Sequence, residues 1–330
     1  MRLSSPVSNF VSQSVSQDVS QSVSDPFTST FTRITDDVGG VVSYGLDSFA
    51  SYGVIPADWQ EDEDITVVAI GQGITSIGES AFDGCEDLEG FNLVIPSSVT
   101  SIGASAFEDC EDLDGTLTLN EGLLTIGAEA FKNCEQLIGH LTIPNSVTSI
   151  GEECFKSCEE ITGLTIGSGL TSIPDSAFYK MDELTGTVAI PDGVTSIGDY
   201  AFVDCAKLTG VTFGSGVTSI GDSAFTRCIA LTSVTIPEGV SSIKAAAFVH
   251  CAALTSGTIP STVTDFSYGY QFYDCTSLTT ITCHLTASFF NSTSALAGSS
   301  VTAMTVDSGK GWTAGSQTVA GKTGVTVTIA

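Results

Sequence analysis

Apolar residues between positions 71 and 283 hold neither a sustained helical period nor a sustained strand period; they recur as a block. The triplet Thr-Ser-Ile, or a variant of it, ends at Ile77, Ile102, Ile126, Ile150, Ile173, Ile197, Ile220 and Ile243. Five residues after each stands a phenylalanine: Phe82, Phe107, Phe131, Phe155, Phe178, Phe202, Phe225 and Phe248. A ninth, looser copy puts Phe266 in the Ile place and Phe272 in the Phe place. The period is 23 to 25 residues, in the range of repeat architectures.

Written out, the unit is V-T-S-I-G-x-x-A-F-x-x-C-x-x-L-T-x-V-T-I-P-x-G. Its L-x-x-V-T-I run alternates as a short strand, closed by Pro or Gly. The G-x-x-A-F-x-x-C segment predicts a single helical or 3₁₀ turn with Ser or Asp as its cap. One coil of this kind cannot bury its own apolar edge, so neighbours must stack. The expected fold is a repeat solenoid of about nine coils, one for each copy of the motif.

The pattern C-x-x-L-x-x-V-x-I-P-x-x-V-x-x-I-x-x-x-A-F resembles the BspA-type (Treponema-pallidum-type) leucine-rich repeat over roughly residues 71–283. The resemblance implies a leucine-rich-repeat fold of short strands and short helical or 3₁₀ turns. It also implies membership of a group made up mostly of microbial cell-surface adhesins and host-interaction proteins, with relatives in protists and viruses. The family shares no catalytic residues, so the resemblance brings no active site. Two positions depart from the pattern: Met181 replaces the repeat cysteine in the fifth copy, and Gly257 replaces a strand apolar in the eighth.

The flanks differ. Val7, Val11, Val15, Val19 and Val23 recur every four residues in a Ser-rich background. That spacing drifts about 40° per step around a helix, and Ser and Val are weak helix formers. Residues 1–40 therefore read as an arm pinned by a partner chain, an assembly or the chain's own solenoid. Glu61-Asp62-Glu63-Asp64 reads as a linker or as the entry to a cap. The division is an arm and linker at 1–64, a solenoid at 65–283, and a degenerate last coil with a β-rich cap at 284–330. The strand-like runs Val301–Val306 and Val325–Ile329 supply that cap.

Charge narrows the partners. With 10 Lys+Arg against 38 Asp+Glu the net charge is -28, and such a surface repels phosphate backbones and anionic membranes. Nucleic acid is excluded as a partner. No stretch approaches the roughly 18 to 20 apolar residues of a membrane span, so no membrane insertion is expected. The N-terminus shows no apolar core of a secretory signal, so either the numbered chain lacks its export sequence or the protein reaches its destination by another route, such as release at host lysis.

Ten cysteines invite a disulfide or metal reading. Eight of them, Cys85, Cys110, Cys134, Cys158, Cys205, Cys228, Cys251 and Cys275, hold one repeat position, about 4.8 Å apart in stacked coils. Parallel side chains at that spacing would have to reorient to form a bridge. Met181 in the same column points to buried apolar thiols instead. Cys154 and Cys158 lack the His or second Cys pair of a zinc set. Gly221-Asp222-Ser223 resembles an esterase nucleophile motif, but its equivalents recur from coil to coil. His140, His250 and His284 fall in three different coils, so the triplet is read as a turn and no enzymatic activity is expected.

Two surfaces remain. Around the first cysteines, Glu86, Asp87, Glu111 and Asp112 stack like charges that a Ca²⁺ ion would relieve, although no EF-hand loop is present. They are a calcium candidate on an otherwise solvated ridge, and no other cofactor is expected. The outward strand positions include Thr118, Thr142, Thr165, Thr212, Thr235, Thr258 and Thr282, with Val94 and Ala189 in the same column. This small, flat, nearly uncharged face suits packing against a protein, a glycan or the arm. One Thr per strand, not a T-x-T pair, argues against ice binding, and Asn291-Ser292-Thr293 is a lone glycosylation sequon. The function expected is recognition or adhesion by a surface-exposed module, extracellular, on a cell or on a virion. The rival is a structural subunit of an extracellular or virion assembly, joined through residues 1–40.

Overall fold

A unit of about two dozen residues with one short alternating run buries its Val, Ile, Leu and Phe only by pressing on copies of itself, and the chain does so. The computed structural model describes residues 41–43, 54–55, 67–70, 74–89, 92–266, 269–291 and 293–330. Successive coils pair in parallel and in register along two columns. In the narrow column Ile77 lies opposite Ile102, Ile102 opposite Ile126, and Ile126 opposite Ile150. The series resumes with Ile173, Ile197, Ile220 and Ile243. In the wide column Leu93–Ile95 pairs with Leu117–Leu119, Gly139–Thr142 with Ile161–Thr165, and Ser233–Thr235 with Ser256–Ile259.

The narrow column breaks between Ile150 and Ile173. Gly127 donates its N–H to the Ile102 carbonyl at 2.9 Å, and Gly198 donates to Ile173 at 2.8 Å. Pro174 stands in that glycine position in the fifth copy and has no N–H to give. Met181 lies in the same coil.

The expected helical or 3₁₀ turn in G-x-x-A-F-x-x-C is not what forms. The segment makes two tandem turns, each with a left-handed residue: Ser105 (φ 52°) then Asp109 (φ 57°), and Glu129 (φ 58°) then Asn133 (φ 57°). The left-handed residues aim alternate N–H groups at the next coil. Ser105 donates to Ala128 O at 2.8 Å, Phe107 to Ala130 O at 2.8 Å and Asp109 to Lys132 O at 2.9 Å. A helical turn would spend those donors within the coil and leave the neighbour's carbonyls unpaired. Among the described residues the only helix is Ala287–Asn291.

The stack makes about eleven turns, against the nine copies of the motif. The extra turns lie at the ends, where the A-F-x-x-C signature is missing. Val41–Ser43 pairs with Val67–Ala69, and Val54–Ile55 with Ser76–Ile77, so the strand columns start upstream of residue 65. At the other end Ala303–Val306 and Lys322–Ile329 continue the wide column, and Gly315–Val319 closes it antiparallel. Residues 1–40 and Glu61–Asp64 lie outside the described residues.

Inside, nine phenylalanines from Phe82 to Phe272 stack at full burial. Ring centroids are 4.9 to 5.4 Å apart except between Phe155 and Phe178, where the gap is 6.0 Å. Burying each ring contributes about 1.5–3 kcal/mol. All ten cysteines are unbridged and buried. Seven share one contact: the thiol donates to the phenylalanine carbonyl of the preceding coil, as Cys110 to Phe82 at 3.0 Å, Cys134 to Phe107 at 3.0 Å and Cys275 to Phe248 at 3.1 Å. A small apolar side chain that also carries a weak donor meets both demands of the position.

Candidate docking face

The wide column points its Leu, Val and Ile inward, so every second residue faces out. Thr118, Thr142, Thr165, Thr212 and Thr235 are exposed on that face, and Thr258 and Thr282 are half-buried. Strand pairing sets Thr142 opposite Thr165, and Thr235 opposite Thr258, which in turn lies opposite Thr282. The column continues beyond the repeat motif to Thr305 and Thr328, both exposed and in register. Sequence periodicity missed these two because the motif ends before them; the alternation of Thr326-Val327-Thr328 was the available signal.

A second file of threonines borders the face. The hydroxyls of Thr162, Thr185, Thr209, Thr232 and Thr255 each donate to a backbone carbonyl of the coil before, at 2.9 to 3.2 Å. These bonds tie successive coils together along the border of the face. His140 lies across it, with Nε2 2.7 Å from Thr165 Oγ1. Its ring covers Gly163, where a Cβ would sit 2.3 Å from the imidazole Nδ1. A side chain at Gly163 would displace this ring from its place over the strand.

Charge is confined to the edges. Glu86, Asp87, Glu111 and Asp112 are all exposed, and among the described residues no three His, Cys, Asp or Glu side chains converge to hold a metal ion. The basic residues here are paired: Lys132 reaches Glu108 of the preceding coil at 2.7 Å and Glu129 of its own at 2.6 Å, while across coils Lys180 reaches Glu159 at 2.5 Å and Arg227 reaches Asp204 at 3.0 Å. Burial works to raise the Glu108 carboxyl, but hydrogen bonds from Lys132 and Ser105 outweigh it and hold the group below its usual range. Burial likewise opposes the charge on Lys132, and the two glutamates overcome it and raise the lysine. Asp182 goes the other way, raised by burial and by the nearby Glu159.

The acidity is also graded along the stack. Residues 74–210 carry 23 Asp+Glu against four Lys+Arg, whereas residues 211–330 carry five against four. One half of the solenoid is strongly anionic and the other is close to neutral.

The hydrolase-like triplet is structural. Ser223 is left-handed (φ 55°), and its N–H donates to Ala245 O at 2.9 Å. The histidines pair elsewhere, His140 with Thr165, His250 with Asp274 and His284 with Asp307.

Parallel in-register strands, a phenylalanine column and turns repeated coil by coil define a leucine-rich-repeat solenoid. Residues 75–209 and 183–302 match the BspA type leucine rich repeat region in six copies, and the chain belongs to that family. Its members are non-catalytic repeat proteins. A leucine-rich repeat protein from Bacteroides ovatus is 23% identical with a TM-score of 0.53, over 83% of this chain and 74% of that one, a similarity of fold. The T. pallidum leucine rich repeat protein is 25% identical over 62% of this chain and 82% of its own, with a TM-score of 0.48. The pneumococcal vaccine antigen PcpA is 20% identical over 73% and 68%, with a TM-score of 0.47. No curated protein matches. Among the described residues no helix is long and apolar enough to cross a membrane.

Proposed function

We propose that the chain is a non-enzymatic recognition module, exposed outside a cell or on a particle, that docks a protein or glycan on its threonine face. One observation carries the reading. A molecule of net charge -28 keeps a face of small, uncharged, mostly Thr side chains through successive coils, with carboxylates at the edges. Covering such a face buries no carboxylate, and its border hydroxyls are already bonded within the protein.

Photo-crosslinking tests it. Benzoylphenylalanine placed at Thr235 or Thr212, with the protein returned to the cell or particle fraction of its source, is expected to give a discrete heavier adduct. The same group at Glu111 should give none. Adducts from Glu111 alone, or equally from both places, would contradict the reading.

The four-residue Val repeat in residues 1–40 favours a second reading, a structural subunit joined to an assembly through that segment. Deleting residues 1–40 separates the two. A monodisperse protein that keeps its Thr235 adduct supports recognition; loss of oligomers or of incorporation into particles supports assembly.

A further inference from the structure

Tyr270 and Tyr273, 49% and 40% exposed, stand together at the turn edge of the near-neutral half. Their rings meet edge to face at 5.7 Å, and His250 meets Tyr273 from the preceding coil at 6.1 Å. His250 Nδ1 is 3.0 Å from Asp274 Oδ2. Beneath, Tyr273 rests on Gly298 of the following coil, where φ is +72° and a Cβ would lie 2.9 Å from ring atom Cε2.

The repeat supplies its own control. At the two tyrosine positions other copies carry Ala246 with Val249, Ser223 with Thr226, Tyr200 with Val203 and Ser176 with Tyr179, so single rings occur elsewhere but only this coil sets two together. Tyr270 holds the left-handed backbone (φ 63°) that this position takes in every copy, Tyr200 (φ 61°) included. These rings are wedged in place yet half open to solvent.

We infer that Tyr270, Tyr273, His250 and Asp274 form a binding site for a neutral oligosaccharide. The overall charge of -28 repels anions, and cations are drawn to the anionic residues 74–210, so an uncharged ligand is what this edge selects. Aromatic faces take the apolar C–H face of a sugar ring, while the carboxylate and imidazole at the rim bond its hydroxyls. The site is separate from the threonine face and does not rest on that reading.

Saturation-transfer NMR on the full chain with maltohexaose, cellohexaose and mannohexaose tests the site. Transfer to the ring protons of at least one sugar is expected. Tyr273→Ala should weaken that binding about tenfold. Tyr273→Phe should retain it, and Gly298→Ala, which displaces the ring, should weaken it at an unchanged fold by circular dichroism. Thr235→Lys should leave sugar binding intact, so failure of the face and failure of this site are distinguishable. Absence of transfer to all three sugars, unchanged binding in Tyr273→Ala, or equal binding of an anionic oligogalacturonate would overturn the inference.

Discussion

Gly257 sits where its neighbours in register carry Val234 and Ile281, buried inside the stack. A Cβ there would meet Val234 Cγ1 at 3.6 Å, with Ile281 Cγ1 and Phe272 Cε1 at 3.9 Å, all ordinary contacts. Gly257→Ala is expected to stabilise by about 0.5–1 kcal/mol, through a stiffer unfolded chain and added packing. An unchanged or lowered denaturation midpoint would count against that packing. The departure of Gly257 from the repeat was legible in the sequence. The thiol-to-carbonyl bonds were not, because their direction follows from left-handed turns occupied by residues as unlike as Glu129, Lys180 and Tyr200.

The cysteines make the stack sensitive to alkali. Burial pushes the Cys283 thiol up to about 12, and holds Cys134, Cys228 and Cys251 well above the ordinary range. The native state keeps these protons, whereas the unfolded chain releases them from about pH 8.5. Stability is therefore full below that pH and falls as pH rises, by up to about 1.4 kcal/mol per pH unit for each thiol. Urea midpoints taken between pH 8.0 and 9.5 should drop steeply; a flat profile would contradict the burial of the column.

At the scale of the coil, alternation gave the strands and their outward threonines correctly, since a period of two follows from backbone geometry alone. The turn segment was misread because A-F-x-x-C has helix-like spacing, while its conformation is set by donors reaching the adjacent coil. The same coil-to-coil logic governs the edge. Lys132 joins Glu108, Glu129 and Glu153 from three successive coils. Lys132→Met should destabilise by about 1–2 kcal/mol by leaving these carboxylates uncompensated. The loss should shrink in 1 M salt, where screening is strong. A salt-independent loss would assign the lysine's effect to packing instead.

Across the molecule, the motif count fell short because the terminal coils keep strand pairing while losing the Phe and Cys signature. Val41–Ser43 and Lys322–Ile329 are recognised by register, which no local pattern announces. The charge gradient was visible in the changing flanks of successive cysteines. Its meaning depends on the stacking, which turns a sequence trend into an anionic half and a neutral half of one body.

Mass-resolved alkylation by N-ethylmaleimide across a urea gradient bears most directly on the shared interior. Cys134, Cys158, Cys205 and Cys228 should stay unlabelled in native buffer and become reactive only as the stack itself unfolds. Prompt labelling of any of these four without denaturant would contradict a continuous core.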